Sequence, residues 1–208
     1  DNISYIQAAV LEPLGVALHA IDLGRLHVAD TVAVLGCGPI GLMIVALACL
    51  SGAQAVFATD ILDHRLHMAE KYGASLTINP HRQDPVRAIV EATEGRGVDV
   101  AFEVAGALET PEQAAEVTKG CGVVVVVGIC SEDQIPLRAT PSRRKGLTIK
   151  VSRRMKHIYH RTIALCARRM IDLDSVVTHT FPLERGADAF ALLADYKDGA
   201  GKVVIVNE

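Results

Sequence analysis

Three glycines in the stretch VAVLGCGPIGLM, Gly36, Gly38 and Gly41, could bring backbone against a phosphate. They fill the spacing GxGxxG. They follow the apolar run 31–35 and open a second apolar run, 42–50, that reads as a helix. In that setting Gly36 permits a tight turn, Gly38 permits close approach of a pyrophosphate, and Gly41 lets the helix pack closely on the strand. The helix N-terminus adds free N–H groups and a partial positive charge. Asp60 stands nineteen residues after Gly41, at the end of a second apolar run. Its carboxylate can accept hydrogen bonds from ribose hydroxyls and would repel a 2′-phosphate, so the pattern points to NAD rather than NADP. Two other readings compete: turn glycines beside a solvated Asp, or a methyltransferase, which needs no pyrophosphate cradle.

Other chemistry-bearing residues are less ordered. His64/His67 and His157/His160 are spaced i, i+3, as metal ligands can be, but no third or fourth ligand lies near them in sequence. They read as surface histidines. Cys37 lies inside the glycine loop, where a helix N-terminus could lower its pKa; the alternative is a small residue that fits. Cys49, Cys121, Cys130 and Cys166 complete an odd set without a CxxC spacing. That argues against a disulfide framework or cysteine zinc knot, and suits a reducing cytosol. Glu12 precedes Pro13 in a helical stretch, where an acid near a helix start is also favoured by the macrodipole.

These residues need elements to hold them. The runs 31–35, 54–60, 76–79, 98–104, 122–129 and 147–152 are short, β-branched and continuous rather than alternating. That is the pattern of parallel strands buried on both faces. Between them, 42–50, 63–72, 85–93 and 111–119 read as helices, the last two opening on Pro. The cadence predicts an α/β fold: a doubly wound, six-stranded parallel sheet with helices on both faces. Outside it, 5–23 reads as helical but interrupted at Pro13, 158–171 and 185–196 read as helices, and 202–207 as a final strand.

Composition excludes several classes. The 208 residues are half hydrophobic, with 21 Lys and Arg against 24 Asp and Glu, a net charge of −3. That balance is not that of a disordered chain or a general nucleic-acid binder. The basic run 143–157 (RRKGLTIKVSRRMKH) alternates across a strand expected to be buried, so a polyanion patch is disfavoured. No apolar run approaches the ~20 residues of a membrane span, and no signal peptide is visible. A start at Asp1 without Met suggests part of a longer chain.

The stretches LEPLGVALHA, GCGPIGL, ATDILDHRLHMAEKYGA, GVDVAFEVAG, VVVVGI and VVTHTFPLERGADAF span almost the whole chain. Together they resemble the zinc-dependent medium-chain dehydrogenase/reductases, most closely the sorbitol or polyol branch. The resemblance implies a Rossmann NAD-binding domain over 25–155, after a helical segment 1–24 from the edge of a GroES-like catalytic domain that is missing here. Residues 156–208 would return toward that domain. It implies cofactor contacts from Gly36, Gly38, Pro39, Ile40 and Gly41, from Asp60 and Arg65 at the adenosine ribose, and from Val127, Gly128 and Ile129 at the nicotinamide carboxamide. Ser152, Arg153 and Arg154 would form a second cofactor-lining segment, with Arg154 also reaching substrate. Met155 stands where sorbitol dehydrogenases usually carry Tyr, and Val151 where a glycine is frequent. Glu12 matches an acid beside the catalytic zinc, binding it directly or through its water; the other ligands would lie in the missing domain.

The resemblance thus implies a cytoplasmic oxidoreductase passing hydride between a polyol or secondary alcohol and NAD. Zinc in the full-length enzyme would polarise the alcohol, and this fragment would be inactive alone. It also implies pairing into a homodimer or homotetramer through the edge of the cofactor sheet, with 147–152 as the candidate edge. The competing class is a non-catalytic module that senses NAD(H) on the same fold.

Overall fold

The computed structural model describes residues 2–195 and 197–207. Tyr196, where the sequence expects a helix to end, lies outside that description, as do Asp1 and Glu208. The chain begins with helix α1 (Tyr5–Gly24) and alternates β1 (Thr31–Leu35), α2 (Pro39–Leu50), β2 (Ala55–Thr59), α3 (Asp63–Lys71), β3 (Leu76–Ile78), α4 (Pro85–Ala92), β4 (Val98–Glu103), α5 (Thr110–Val117), β5 (Thr118–Val126), α6 (Ala139–Lys145) and β6 (Thr148–Val151). It ends with α7 (Tyr159–Ala167), β7 (Val177–Pro182), α8 (Gly186–Ala194) and β8 (Lys202–Val206).

The six-stranded sheet has the order β3-β2-β1-β4-β5-β6, every pair parallel. This is the Rossmann-type doubly wound α/β fold the sequence predicts. The order reverses between β1 and β4, and the crevice outside the carboxyl ends of those strands is where such sheets take ligands. β1 and β4 are buried throughout, as their unbroken apolar runs require. One core cluster joins Val10, Leu14 and Leu18 of α1 to Val32, Val34, Met43, Ile44 and Phe102, with Cys166 and Leu173 beyond. The second lies on the other face, around Leu35, Phe57, Ile78, Ile89 and Val124.

Several expectations are corrected. α1 runs unbroken through Pro13. A proline there removes one hydrogen bond, to the carbonyl four residues earlier on Ala9, and Ala9 is exposed, so water can satisfy it. By length and composition α1 could cross a membrane, yet half of that window is buried in the fold, as in a core helix. The 147–152 run forms β6 at the sheet edge, as expected, but it is not buried on both faces as its apolar pattern suggests: Ile149 is 38% and Val151 63% exposed. β5 starts at Thr118, four residues before the expected 122, and α5 passes into it without a loop. The orphaned carbonyls at that junction are met by the Lys145 ammonium, which donates to Ala115 O, Glu116 O and Thr118 O. α6 and β7 were not anticipated. α6 ends on Gly146 in the left-handed conformation (φ 61°) after Arg143, Arg144 and Lys145, a basic last turn that suits the helix dipole. The basic run is therefore divided among a helix, an edge strand and a loop. β7 pairs parallel with β8 in a separate two-stranded sheet.

At the amino end of the sheet, Asp99 ties β4 to β1 and β5. Its carboxylate accepts from Thr31 N (2.8 Å), Thr31 Oγ1 (2.7 Å) and Arg96, and meets Lys119 Nζ at 2.5 Å. Burial disfavours its ionisation, but hydrogen bonds from Arg96, Lys119 and Thr31 outweigh burial and hold the carboxyl far below the usual range. A depressed pKa contributes stability above the unfolded value, near 4, and loses it as pH falls toward the folded value. Arg96 and Lys119 are partly exposed, so Asp99→Asn is expected to cost only about 2 kcal/mol at neutral pH. Urea midpoints followed from neutral pH down through about pH 4 should fall more steeply for the wild type than for Asp99→Asn. Parallel profiles would contradict this account.

Candidate functional site: a crevice at the carboxyl ends of β1 and β4

The glycine loop sits at the point where strand order reverses. Gly36 leaves β1 with φ +106°, and its N–H donates to Thr59 O at 2.8 Å. A Cβ on Gly36 would stand 2.6 Å from Ala105 N, so the loop is pressed on the backbone that leaves β4. A Cβ on Gly41 would stand 1.9 Å from Gly36 O; the close approach is to the turn's own carbonyl more than to the strand. Gly38 differs. It is the N-cap of α2 with φ −65° and ψ −179°, which any residue adopts, and a Cβ there would meet nothing within 4 Å. Nothing within the fold demands glycine at position 38. α2 starts at Pro39, three residues earlier than the sequence reading of 42–50, so its first N–H groups face the crevice end of the sheet.

Asp60 follows β2 and is almost wholly buried. Its Oδ2 accepts from Cys37 N at 2.8 Å and its Oδ1 from Leu62 N at 2.9 Å. The carboxylate therefore braces the glycine loop and the start of α3, and each oxygen can still accept another bond. Arg65 Nη1 lies 3.6 Å from Asp60 Oδ2. Gly36, Gly38, Asp60 and Arg65 line one cavity of about 380 Å³, walled by Ile61, Val104, Ala105, Ala107 and Thr110 among others. A larger concavity, about 670 Å³, lies between the start of α1 and the segment from Cys166 to Asp174; it carries none of the motif residues.

The remaining predicted residues fall outside that cavity. Val127 and Gly128 follow β5 and donate to Glu103 O at 2.7 and 3.0 Å. The Ile129 side chain projects into solvent, 92% exposed. Ser152 ends the β6 edge with its Oγ buried and without a hydrogen-bond partner. Arg153 and Arg154 are exposed, Arg154 at φ 52°. A Cβ on Gly15 would stand 2.8 Å from Met155 Cβ, so the segment holding Arg154 lies against the turn of α1 that follows Glu12. Glu12 itself is exposed.

Cys37 is buried, and burial, then the Asp60 charge, pushes its thiol well above the usual range. It is the small residue that fits, not a reactive thiolate. His64, His67, His157 and His160 are exposed, and no group of three or more His, Cys, Asp or Glu among the described residues could hold a metal. Glu12 alone does not make a zinc site.

The residues fit a dinucleotide. Gly38 leaves open the space a phosphate would take, Asp60 stands beside the cavity, and two buried oxygens at the carboxyl end of the sheet, Glu103 Oε2 and Ser152 Oγ, lack partners. Sequence reasoning missed Glu103 and Thr110. Glu103 left one signal, a charged residue closing the apolar run VDVAF.

A family model described as zinc-binding dehydrogenase matches residues 39–168. The chain belongs to this family. A sorbitol dehydrogenase from Bacillus subtilis is 34% identical over 205 residues, 99% of this chain and 58% of that protein. An L-threonine 3-dehydrogenase from Caldanaerobacter subterraneus subsp. tengcongensis is 36% identical over 208 residues, 98% of this chain and 59% of that protein. Among solved structures, an alcohol dehydrogenase from Thermus sp. ATN1 superposes with a TM-score of 0.93 at 30% identity, covering 100% of this chain and 60% of that one. A zinc-binding dehydrogenase from Sinorhizobium meliloti bound to NADP gives 0.88 at 30%, covering 95% and 58%. A short chain alcohol dehydrogenase from Escherichia coli CFT073 complexed with NADH gives 0.89 at 27%, covering 98% and 60%. The chain thus spans somewhat under two thirds of the length of these relatives.

Proposed function

We propose that these 208 residues are the cofactor-binding part of a zinc-dependent oxidoreductase that passes hydride between a polyol or secondary alcohol and NAD. The observation that carries the reading is Gly38: its conformation and surroundings do not call for glycine, and its missing side chain opens α2's N-terminus to a pyrophosphate. Asp60 then accepts from the adenosine ribose hydroxyls, with Arg65 beside it. Pro39 and Ile40 carry the cradle into α2, Ile40 toward the nicotinamide. Val127, Gly128 and Ile129 present backbone to the carboxamide, and Ser152, Arg153 and Arg154 line the same side. Bound NAD supplies the hydride acceptor; the protein supplies placement and exclusion of water. Glu12 and Arg154 face the metal and the alcohol. Glu12 supplies a single carboxylate, and among the described residues no group of three or more ligands completes a zinc site.

The relatives are named for sorbitol, L-threonine and alcohol, which supports the alcohol class without choosing within it. The NADP and NADH complexes of structural relatives support a nicotinamide cofactor. The five cysteines, all free, suit a cytoplasmic setting. β6 leaves Ile149 and Val151 uncovered on an unpaired edge, the feature a second copy would cover in a homodimer or homotetramer.

The purified 208-residue chain is expected to bind NADH, seen as enhanced reduced-nicotinamide fluorescence, and to elute as a dimer or larger in light scattering. It is not expected to reduce NAD with sorbitol, threonine or butanediol. Failure to bind NADH would overturn the cofactor assignment; alcohol-dependent NADH production would overturn the claim that the groups activating the alcohol lie elsewhere; a monomer at high concentration would remove the edge pairing.

A further inference from the structure

Glu103 ends β4 with no exposed surface, at the carboxyl edge of the sheet. Its Oε1 accepts from Gly106 N at 2.7 Å and from Thr110 Oγ1 at 2.8 Å. Its backbone carbonyl accepts from Val127 N and Gly128 N. One residue thus holds the loop after β4 by its side chain and the loop after β5 by its main chain. The loops also touch directly. A Cβ on Gly128 would stand 2.4 Å from Gly106 N and 2.7 Å from Glu103 Oε2, and one on Gly106 would stand 2.5 Å from Ile129 O. Packing this close leaves no slack, so a shift of Gly106 moves Gly128 and Ile129 with it. A buried carboxylate is costly, and Oε2 has no hydrogen-bond partner to offset that cost. Closing a strand does not require a carboxylate; an apolar residue would do it at less cost.

We propose that Glu103 is a positioning residue that, through Gly106, sets the seat of the 127–129 segment and hence of the nicotinamide end of the cofactor. The proposal rests on the NAD reading above. The adenosine and pyrophosphate end touches the β4 loop at Ala105, but it also has braces of its own: Gly36 N bonds Thr59 O, and Asp60 bonds Cys37 N and Leu62 N. ADP-ribose, which lacks nicotinamide, therefore reads that end alone, while NADH reads both.

The test is calorimetric titration of the 208-residue chain with NADH and with ADP-ribose. Glu103→Ala is expected to weaken NADH about tenfold or more, and ADP-ribose by a factor at least about threefold smaller. Glu103→Gln keeps an oxygen for Gly106 and Thr110 and should restore both affinities to within about threefold of wild type. Thr110→Val removes one anchor at constant shape; because Thr110 also walls the cavity beside Asp60, the expected result is a loss of about threefold for NADH and a smaller one for ADP-ribose. It decides the matter if Glu103→Ala fails to fold. Equal losses for both ligands, or no loss of NADH affinity in either Thr110→Val or a folded Glu103→Ala, would overturn the proposal. If the wild type binds ADP-ribose and NADH equally well, the 127–129 segment does not hold nicotinamide and the proposal falls while the adenosine assignment stands. If it binds neither, the NAD reading itself fails.

Discussion

Gly41→Ala is expected to weaken NADH binding by about a hundredfold and to destabilise the chain by about 2–3 kcal/mol. The methyl group would stand 1.9 Å from Gly36 O and 2.9 Å from Gly36 C, both backbone atoms. Relief requires either α2 to move or the turn to move. The turn is held on its far side, because Gly36 already lies against Ala105 N and donates to Thr59 O. α2 is held by Met43, Ile44 and Leu47 in the core. Displacing the loop pulls α2's first N–H groups out of line with the crevice, so binding should suffer about as much as folding. Gly38→Ala gives the contrast. Its Cβ meets no protein atom, so stability should hold within about 0.5 kcal/mol while NADH affinity drops. Thermal melts and fluorescence titrations of both variants check this. An NADH affinity for Gly41→Ala within about threefold of wild type would show that the loop can relax and the steric account is wrong.

The second large effect is expected at Asp60. Asp60→Ala should reduce the preference for NADH over NADPH by about tenfold, because it removes the charge that repels a 2′-phosphate while leaving Arg65 in place. It should also cost about 2 kcal/mol of stability, since the N–H groups of Cys37 and Leu62 lose their acceptor and Cys37 is fully buried. Asp60→Asn separates the two effects. It removes the charge and retains one acceptor, so it should lose selectivity with a smaller loss of stability. The ratio of dissociation constants for NADH and NADPH, measured beside the unfolding midpoint, reads both. An unchanged ratio in both variants would remove Asp60 from cofactor choice and leave it as a brace for the loop.

Much of the sheet was legible because parallel strands covered on both faces must be apolar on both. VAVL, VFAT and the run VDVAF are long enough to show it and too short for helices. The same rule overstated the burial of β6, whose LTIKV is mostly apolar but lies at the edge. Pro13 misled for a related reason: its effect depends on whether the freed carbonyl meets water, and that is a property of the fold. α6 could have been read from Gly146 and the basic turn before it, and β7 from the alternation in VTHTFP, which follows its half-buried surface. In the site, the glycine spacing and Asp60 were legible because each is a local demand of a turn or a strand end. Glu103 and Thr110 were not. Their role comes from Gly106 and Gly128, which are far apart in sequence and pressed together only when β4 and β5 pair.

The sequence by itself determined the strand–helix rhythm, the doubly wound class, the glycine loop, and an acid at the end of the second strand. Each follows from local sterics and hydrophobic pattern, which are written residue by residue. Only the tertiary structure decided that Asp60 braces the loop it serves, that Cys37 is sealed from reaction, that β6 leaves Ile149 and Val151 exposed, and that one buried carboxylate ties two loops together. Those facts depend on which strands become neighbours and how closely their ends approach, and such distances belong to the packed chain.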